Sequence, residues 1–123
     1  MKICITSSGK SLKSNLDPRF GRCAYFVIAD TDKNEYEVIP NEAGLSGGGA
    51  GVSTGQLMVE NGIQAIITGS VGPNAMSVLK AAQISIYKGN EGTIESNIES
   101  YKTGSLKNIS DTVPPHSGMG KQS

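Results

Sequence analysis

The sequence predicts an α/β domain built on a mixed β-sheet. In the second half of the chain, short β-branched runs alternate with segments of helical periodicity, which is typical of parallel strands joined by crossover helices. In the first half, two β-prone runs flank a turn-forming segment, which predicts an antiparallel hairpin. Together these patterns favour a mixed five-stranded sheet with three helices packed on its faces.

The five predicted strands are compact apolar runs that end at turn-forming residues. The first, residues 2–6, is rich in β-branched side chains and is expected to be buried on both faces. Residues 24–29 and 35–39 form the hairpin, because the residues between them are turn formers. Residues 64–68 and 84–88 resemble the first strand and are expected to complete the sheet.

The three predicted helices carry start and stop signals. The first covers residues 52–61, after a glycine-rich segment, and stops at Gly62. The second begins at Pro73, which suits a first helical turn, and continues with apolar residues at the spacing of one buried face. The third has Thr93 as its N-cap and ends at Gly104.

The end of the chain differs in composition from the rest. Residues 104–123 contain few large apolar side chains and two consecutive prolines. A segment of this kind buries too little apolar surface to offset the entropy of ordering it. We therefore expect one α/β domain in residues 1–103 and a flexible tail in residues 104–123.

The composition excludes several classes of function. Lys plus Arg equals Asp plus Glu, at 11 each, so no overall field attracts nucleic acid or an acidic membrane. The chain has no Trp and two Phe, which leaves little surface for base stacking. The apolar run near Met1 is too short for a signal peptide or a membrane span, so a cytoplasmic protein is expected. Two cysteines are too few for a disulfide framework and are free thiols or ligands.

Two glycine-rich segments lead into helices and are candidate anion sites. Gly48, Gly49 and Gly51 precede or begin the first helix. Gly69, Gly72 and Asn74 repeat the strand–glycine–helix arrangement at the second helix. Backbone N–H groups at a helix N-terminus bind anions. The alternative is that the glycines only allow the chain to turn.

A basic turn around Gly21 precedes the second strand and carries candidate ligand residues. Arg19 and Arg22 can bind an anion bidentately and can lower the pKa of the Cys23 thiol, which binds metal as thiolate. The alternatives are that the arginines are surface charges and that Cys23 is a small core residue. His116 is a nitrogen donor that can complete a metal site from the tail, or a solvated side chain.

A metal site made from protein ligands alone is poorly supported by this set of residues. The sequence has no Cys-x-x-Cys pair, and Cys4 lies inside the first strand, where it is expected to be core.

Three ordered motifs, at residues 17–26, 48–51 and 67–75, give the chain a close resemblance to a known family. The chain is identified as a member of the dinitrogenase iron–molybdenum cofactor biosynthesis family, of the NifX and NifB C-terminal type. The resemblance extends from Met1 to about Tyr101. It implies a ribonuclease H-like arrangement of the five strands, without nuclease activity, and the carriage or storage of iron–molybdenum or other metal–sulfur clusters.

Two departures from the family pattern concern single residues. Gln83 stands where the family often has glycine before the fifth strand, which is expected to alter only a turn. The tail carries one histidine where the family has a histidine-rich run, which weakens the case for metal chelation by the tail.

The expected function is therefore binding rather than catalysis. The domain contains no histidine to act as a base and no recognisable pair of carboxylates, so no catalytic residue is assigned. The sequence predicts a carrier of an iron–molybdenum or other anionic metal–sulfur cluster. Its expected partners are cluster donor or acceptor proteins or an ATPase, with the oligomeric state open. The alternative is a non-catalytic regulatory or protein-interaction module without a cluster.

Overall fold

The computed structural model of the chain describes residues 1–42 and 50–110. Its strands are β1 (Lys2–Ser7), β2 (Tyr25–Asp30), β3 (Glu35–Pro40), β4 (Ala65–Thr68), β5 (Ser85–Lys88) and β6 (Lys107–Asn108). Its helices are α1 (Ala50–Glu60), α2 (Pro73–Ala81) and α3 (Ile94–Lys102). Within these ranges, no helix has the length and apolar character needed to cross a membrane.

The described strands form one mixed sheet in the order β3-β2-β1-β4-β5-β6. The β1–β2 and β2–β3 pairs are antiparallel, whereas β1–β4 and β4–β5 are parallel. The predicted hairpin, the central position of β1 and the mixed sheet are therefore confirmed. The ribonuclease H-like label stays a prediction.

The prediction of five strands was wrong, because the described residues form a sixth. β6 pairs antiparallel with β5, and Ile109 N–H donates to the Ile86 carbonyl at 2.7 Å. The strand consists of Lys107 and Asn108, both exposed, so no apolar alternation marks it in the sequence. It lies in the segment that was expected to be tail, whereas residues 111–123 lie outside the described part of the chain.

The core has two layers of side chains because each central strand is buried on both faces. On β1, Cys4 faces a cluster that includes Met58 of α1 and Leu79 of α2. Ile3 and Ile5 of the same strand face the opposite cluster, which includes Ile94 at the start of α3. The sheet therefore lies between α1 and α2 on one side and α3 on the other, as an α/β/α sandwich.

The described helices end on residues with left-handed backbone conformations. α1 and α3 stop at Gly62 and Gly104, with φ of 70° and 74°. α2 stops at Gln83, with φ of 62°, and the N–H of Ile84 donates to the Leu79 carbonyl at 3.0 Å. Together with the hydrogen bond from the Gln83 N–H to the Lys80 carbonyl, this bond forms a Schellman motif. Glycine is the favoured residue at the left-handed position of this motif, which is occupied here by Gln83. Gln83, one of the two departures from the family pattern, therefore occupies a position that strains a side-chain-bearing residue.

We predict that Gln83→Gly raises the free energy of unfolding by about 0.5–1 kcal/mol, because relief of the left-handed strain exceeds the added entropy of the unfolded chain. The matched control is Gly104→Ala, where a Cβ would meet no atom within 4 Å, so any cost is conformational. The free energy of unfolding of that variant is expected to fall by about 1 kcal/mol. Urea unfolding of both variants measures the two effects, and a destabilised Gln83→Gly would contradict the prediction.

Candidate functional site

The long loop after β1 crosses the carboxyl ends of the parallel strands β1 and β4. The N–H of Asp17 donates to the Thr6 carbonyl at 2.9 Å, which returns the loop to the end of β1. The Pro18 carbonyl accepts the N–H groups of Gly69 and Ser70 at 3.1 and 2.9 Å, which attaches the loop to the end of β4. The loops after β1 and β4 are therefore in direct contact at this edge, where ligands of such sheets tend to bind.

Gly69 is required at this junction because two backbones meet there. A Cβ on Gly69 would lie 2.4 Å from the Pro18 Cβ and 2.7 Å from its Cα, well inside van der Waals contact. The Gly69 N–H, which was expected to face an anion, is occupied by the Pro18 carbonyl. In this structure Gly69 permits close packing of the loops rather than contact with a ligand.

The loop after β3 reaches the same place through Asn41. Its side-chain amide donates to the carbonyls of Gly21 and Cys23 at 3.0 and 2.8 Å, and its N–H donates to the Ala24 carbonyl. Gly21 has φ of 90°, so the turn that Asn41 holds uses a conformation in which glycine is favoured. The role of buried Asn41 was missed in the sequence, although an amide side chain directly after a strand was a signal of it.

The loops after β1 and β3 form a cleft of about 500 Å³ that contains three of the predicted site residues. The residues that line it are Ser8, Asp17, Arg19, Arg22, Cys23, Ala24, Tyr25, Pro40, Asn41 and Glu42. Arg19, Arg22 and Cys23 were proposed from the sequence as one group, and the structure places them together. A volume of this size lies within the range of small-ligand pockets, about 300–1,000 Å³.

An ion pair inside the cleft determines how much of its positive charge is free. Arg19 donates through Nε and Nη2 to the two Asp17 carboxylate oxygens at 3.1 and 3.0 Å. Burial alone would raise the pKa of Asp17, but the hydrogen bonds from Arg19 outweigh burial and hold this pKa below its ordinary value. Arg22 is exposed, and within the described ranges no carboxylate lies in ion-pairing distance of it. Arg22 is therefore the cation of the cleft that is available to an anion.

The Cys23 thiol is buried, with 3% of the residue exposed, and is protonated at neutral pH. Burial raises its pKa to about 12, and the negative charge of Asp17 raises it as well. The expectation that the two guanidinium groups lower this pKa is therefore wrong, because Arg19 is already paired and the thiol is shielded from water. Whether Cys23 contacts a metal stays a prediction. Cys4 is fully buried in the core, as expected.

Two helices begin at the same edge of the sheet as the cleft. α1 leads into β4, so its first residues lie at the carboxyl end of that strand, and it packs closely on α2 through Gly55 and Val78. Gly51 lies in the first turn of α1, where N–H groups lack helical partners. Gly72 is the N-cap of α2 with no side-chain cap, and a Cβ there would meet nothing within 4 Å. Asn74 is exposed in the first turn of α2.

Other predicted ligands lie outside the described residues or lack the neighbours that a metal needs. Gly48, Gly49 and His116 fall in the two ranges that the structure does not describe. In the described part of the chain, no three His, Cys, Asp or Glu side chains come close enough together to hold a metal ion. In the same described part of the chain, the buried hydroxyl oxygen of Thr54, in α1, has no hydrogen-bond partner.

Comparisons with known proteins point to one family. A family model described as dinitrogenase iron-molybdenum cofactor matches residues 1–104. An uncharacterized protein of Methanocaldococcus jannaschii is 35% identical over 97 residues, which span 76% of this chain and 82% of the relative.

Solved structures show the same fold. The apo form of the orange protein from Desulfovibrio gigas is 31% identical, with a TM-score of 0.81 over 86% of this chain and 90% of that one. A Thermotoga protein named for NifB is 32% identical, with a TM-score of 0.81 over 93% of this chain and 97% of that one.

We predict that Asp17→Asn lowers the pKa of Cys23, because it removes a negative charge beside the thiol and releases Arg19. In the parent protein, alkylation of Cys23 should be slow at pH 8 and accelerate as the pH approaches about 12. Because this pKa is raised, Cys23 contributes to stability at pH values below 9.0, which is the ordinary pKa of the thiol. This contribution is lost as the pH rises toward about 12.

The measurement is the rate of iodoacetamide alkylation of the folded protein as a function of pH, with mass spectrometry to identify the modified cysteine. Asp32→Asn, on the exposed hairpin turn, is the matched control and should leave the profile unchanged. If Asp17→Asn raises the rate equally at every pH, its effect is loosened packing and the electrostatic prediction fails.

Proposed function

Because this chain belongs to the dinitrogenase iron-molybdenum cofactor family, we propose that it carries an anionic metal–sulfur cluster in cluster biosynthesis, storage or transfer. The observation that supports this proposal most strongly is the cleft that the loops after β1 and β3 form around Arg22. The cargo is an iron–molybdenum or other metal–sulfide cluster. The partners that we propose are cluster donor or acceptor proteins or an ATPase, and the compartment is the cytoplasm.

One guanidinium group of the cleft is available to bind an anion. Arg19 and Asp17 neutralise each other, and the other charged residues of the lining, Arg22 and the exposed Glu42, form no ion pair in the described part of the chain. The starts of α1 and α2 lie at the same edge of the sheet, and helix N-termini carry partial positive charge. Sulfide and oxide ligands of a cluster are acceptors for these donors.

In the described residues, no three His, Cys, Asp or Glu side chains come together to hold a metal ion. We propose that the cluster arrives preassembled and brings its own sulfides. Cys23 at neutral pH offers an S–H group, which is a weak hydrogen-bond donor, rather than a thiolate. His116, Gly48 and Gly49 remain predicted contacts of the cluster.

The family and the structural relatives support an accessory role rather than an enzymatic one. In the described residues, the carboxylate of Asp17 is bound by Arg19, and the thiol of Cys23 is protonated. Neither group is placed as a free base or a nucleophile. We therefore assign no catalytic residue.

We predict that protein reconstituted anoxically with iron, molybdate and sulfide keeps metal and visible absorption after desalting. Arg22→Gln should weaken retention of the cluster by roughly tenfold to a hundredfold, since a charge-assisted hydrogen bond contributes about 1.5–3 kcal/mol. The matched control is Lys33→Gln, which removes one exposed positive charge from the hairpin away from the cleft. Metal analysis and absorption spectra of the three proteins give the comparison.

Two outcomes would contradict the proposal. Folded parent protein that stays colourless and metal-free under every condition would favour the regulatory or protein-interaction module. An equal loss of cluster in Arg22→Gln and Lys33→Gln would show that total charge, and not the cleft, retains the metal.

We also predict that Gly51→Val keeps the fold and loses binding of the cluster or an oxyanion. Gly51 lies in the first turn of α1, and a branched side chain there obstructs approach to the backbone N–H groups at a propensity cost on the order of 1 kcal/mol. Cys4→Ala is the contrasting variant, because it removes a buried core side chain and should lower stability without affecting binding. Thermal unfolding and molybdenum retention are measured on both, and undiminished binding by Gly51→Val would refute the backbone mechanism.

A further inference from the structure

The outer edge of β3 is the longest unpaired strand edge in the described part of the chain. β3 ends the strand order on one side, and all six of its residues are exposed or half-buried. The opposite edge is β6, which has two residues. An edge of this kind is a template for an added strand.

The register shows which backbone groups of β3 face outward. The N–H of Asn41 donates to the Ala24 carbonyl of the neighbouring chain segment, one step beyond the pairing of Pro40 with Tyr25. In an antiparallel pair, alternate residues direct both their N–H and C=O groups to the same neighbour. Tyr36, Val38 and Pro40 therefore face away from β2, and of these Pro40 has no N–H to donate.

The side chains of β3 divide into an acidic face and an apolar face. Glu37 lies on the face of the sheet that Ile39 shares with α1 and α2, whereas Val38 packs against the cluster under α3. Glu35, at the hairpin end of the strand, lines the groove between β3 and α3. Tyr36, on the same face as Val38, is 50% exposed and is one of the large exposed apolar side chains of the described residues.

Acidic groups also line the groove between β3 and α3. This groove has a volume of about 160 Å³ and an apolar floor that includes Leu12, Ala29 and Ile98. Its charged lining residues are Asp30, Glu35, Glu95, Glu99 and Lys102. Asp30 pairs with the N-terminal ammonium group at 3.4 Å and Glu95 pairs with Lys13 at 2.9 Å. Glu35 and Glu99 then stand against Lys102, so the groove keeps a small negative charge and charge complementarity favours a basic partner.

A second copy of this chain is a poor fit to the edge. Antiparallel self-pairing centred on Glu37 would place Glu37 directly opposite its own equivalent, and like charges in that position are destabilising. Self-pairing centred on Val38 would place Tyr36 opposite Pro40, which cannot donate a ladder hydrogen bond. Both registers are disfavoured.

We propose that the outer edge of β3 binds an extended segment of a partner protein by strand addition. The segment carries Lys or Arg opposite Glu37 and apolar side chains beside Tyr36 and Val38. Pro40, at the end of β3, also lines the cleft, so the partner segment would end next to it. The inference stands on the edge geometry and the charges, and it does not depend on a bound cluster.

The probe is a blocked heptapeptide of alternating lysine and valine, added to isotope-labelled protein. We expect amide exchange at Tyr36 and Val38 to slow, because these N–H groups become hydrogen-bonded, whereas Glu37 and Ile39 already face β2. A peptide of the same sequence with N-methylated backbone nitrogens has the same charge but cannot form a ladder, and it should not slow the exchange.

A charge-swap experiment tests the chemistry of the partner. Glu37→Lys should weaken binding of the lysine peptide roughly threefold to tenfold and create binding of the corresponding glutamate–valine peptide. Glu60→Lys makes the same charge change on the exposed end of α1, and it should alter neither affinity. Affinities are measured by titration calorimetry at fixed ionic strength.

Several outcomes would overturn the proposal. Equal binding of the N-methylated peptide would show non-specific attraction between charges. No change at Tyr36 and Val38 with saturating peptide would show that the edge does not accept a strand. Slow exchange of both amides in the protein alone, together with a dimeric mass, would assign the edge to a second copy.

Discussion

The carbonyl of Pro18 accepts two consecutive N–H groups, those of Gly69 and Ser70, and the candidate site depends on this junction. It attaches the loop after β1 to the carboxyl end of β4, so the residues that follow, Arg19 to Cys23, have a defined position over the sheet. The junction requires glycine at position 69, because a Cβ would overlap Pro18. The hydroxyls of Thr6 and Thr68, in contact at 2.9 Å, satisfy polar groups under the loop.

The electrostatics of the cleft follow from that placement. Asp17 lies beside both Arg19 and Cys23, so one carboxylate balances a guanidinium and also favours the protonated thiol. Arg22 then provides the available positive charge, while Asn41 holds the backbone on either side of it. A rim with one guanidinium group that no carboxylate pairs within the described residues suits an anion that is held reversibly.

Much of the fold could be predicted from the sequence because its core elements have strong periodic patterns. β1 and β4 are continuous apolar runs, and Gly62 and Thr93 mark helix ends by backbone and capping chemistry that is local. β6 could not be predicted, because Lys107 and Asn108 are positioned by backbone pairing alone.

The site could be predicted less completely than the fold. The grouping of Arg19, Arg22 and Cys23 was visible in one motif, but the pKa of Cys23 depends on its burial and on which partner Arg19 binds. Those are tertiary properties, and Asn41 approaches from a separate loop.

The most direct test of the central claim is anomalous diffraction at the molybdenum absorption edge from crystals equilibrated anoxically with thiomolybdate. The account predicts an anomalous peak in the cleft, within hydrogen-bonding reach of Arg22 and beside the loop that Pro18 and Gly69 join. A peak at another place, such as the groove between β3 and α3, would contradict it. The account would also be contradicted if the cleft showed no anomalous peak although the protein from the dissolved crystals contained stoichiometric molybdenum.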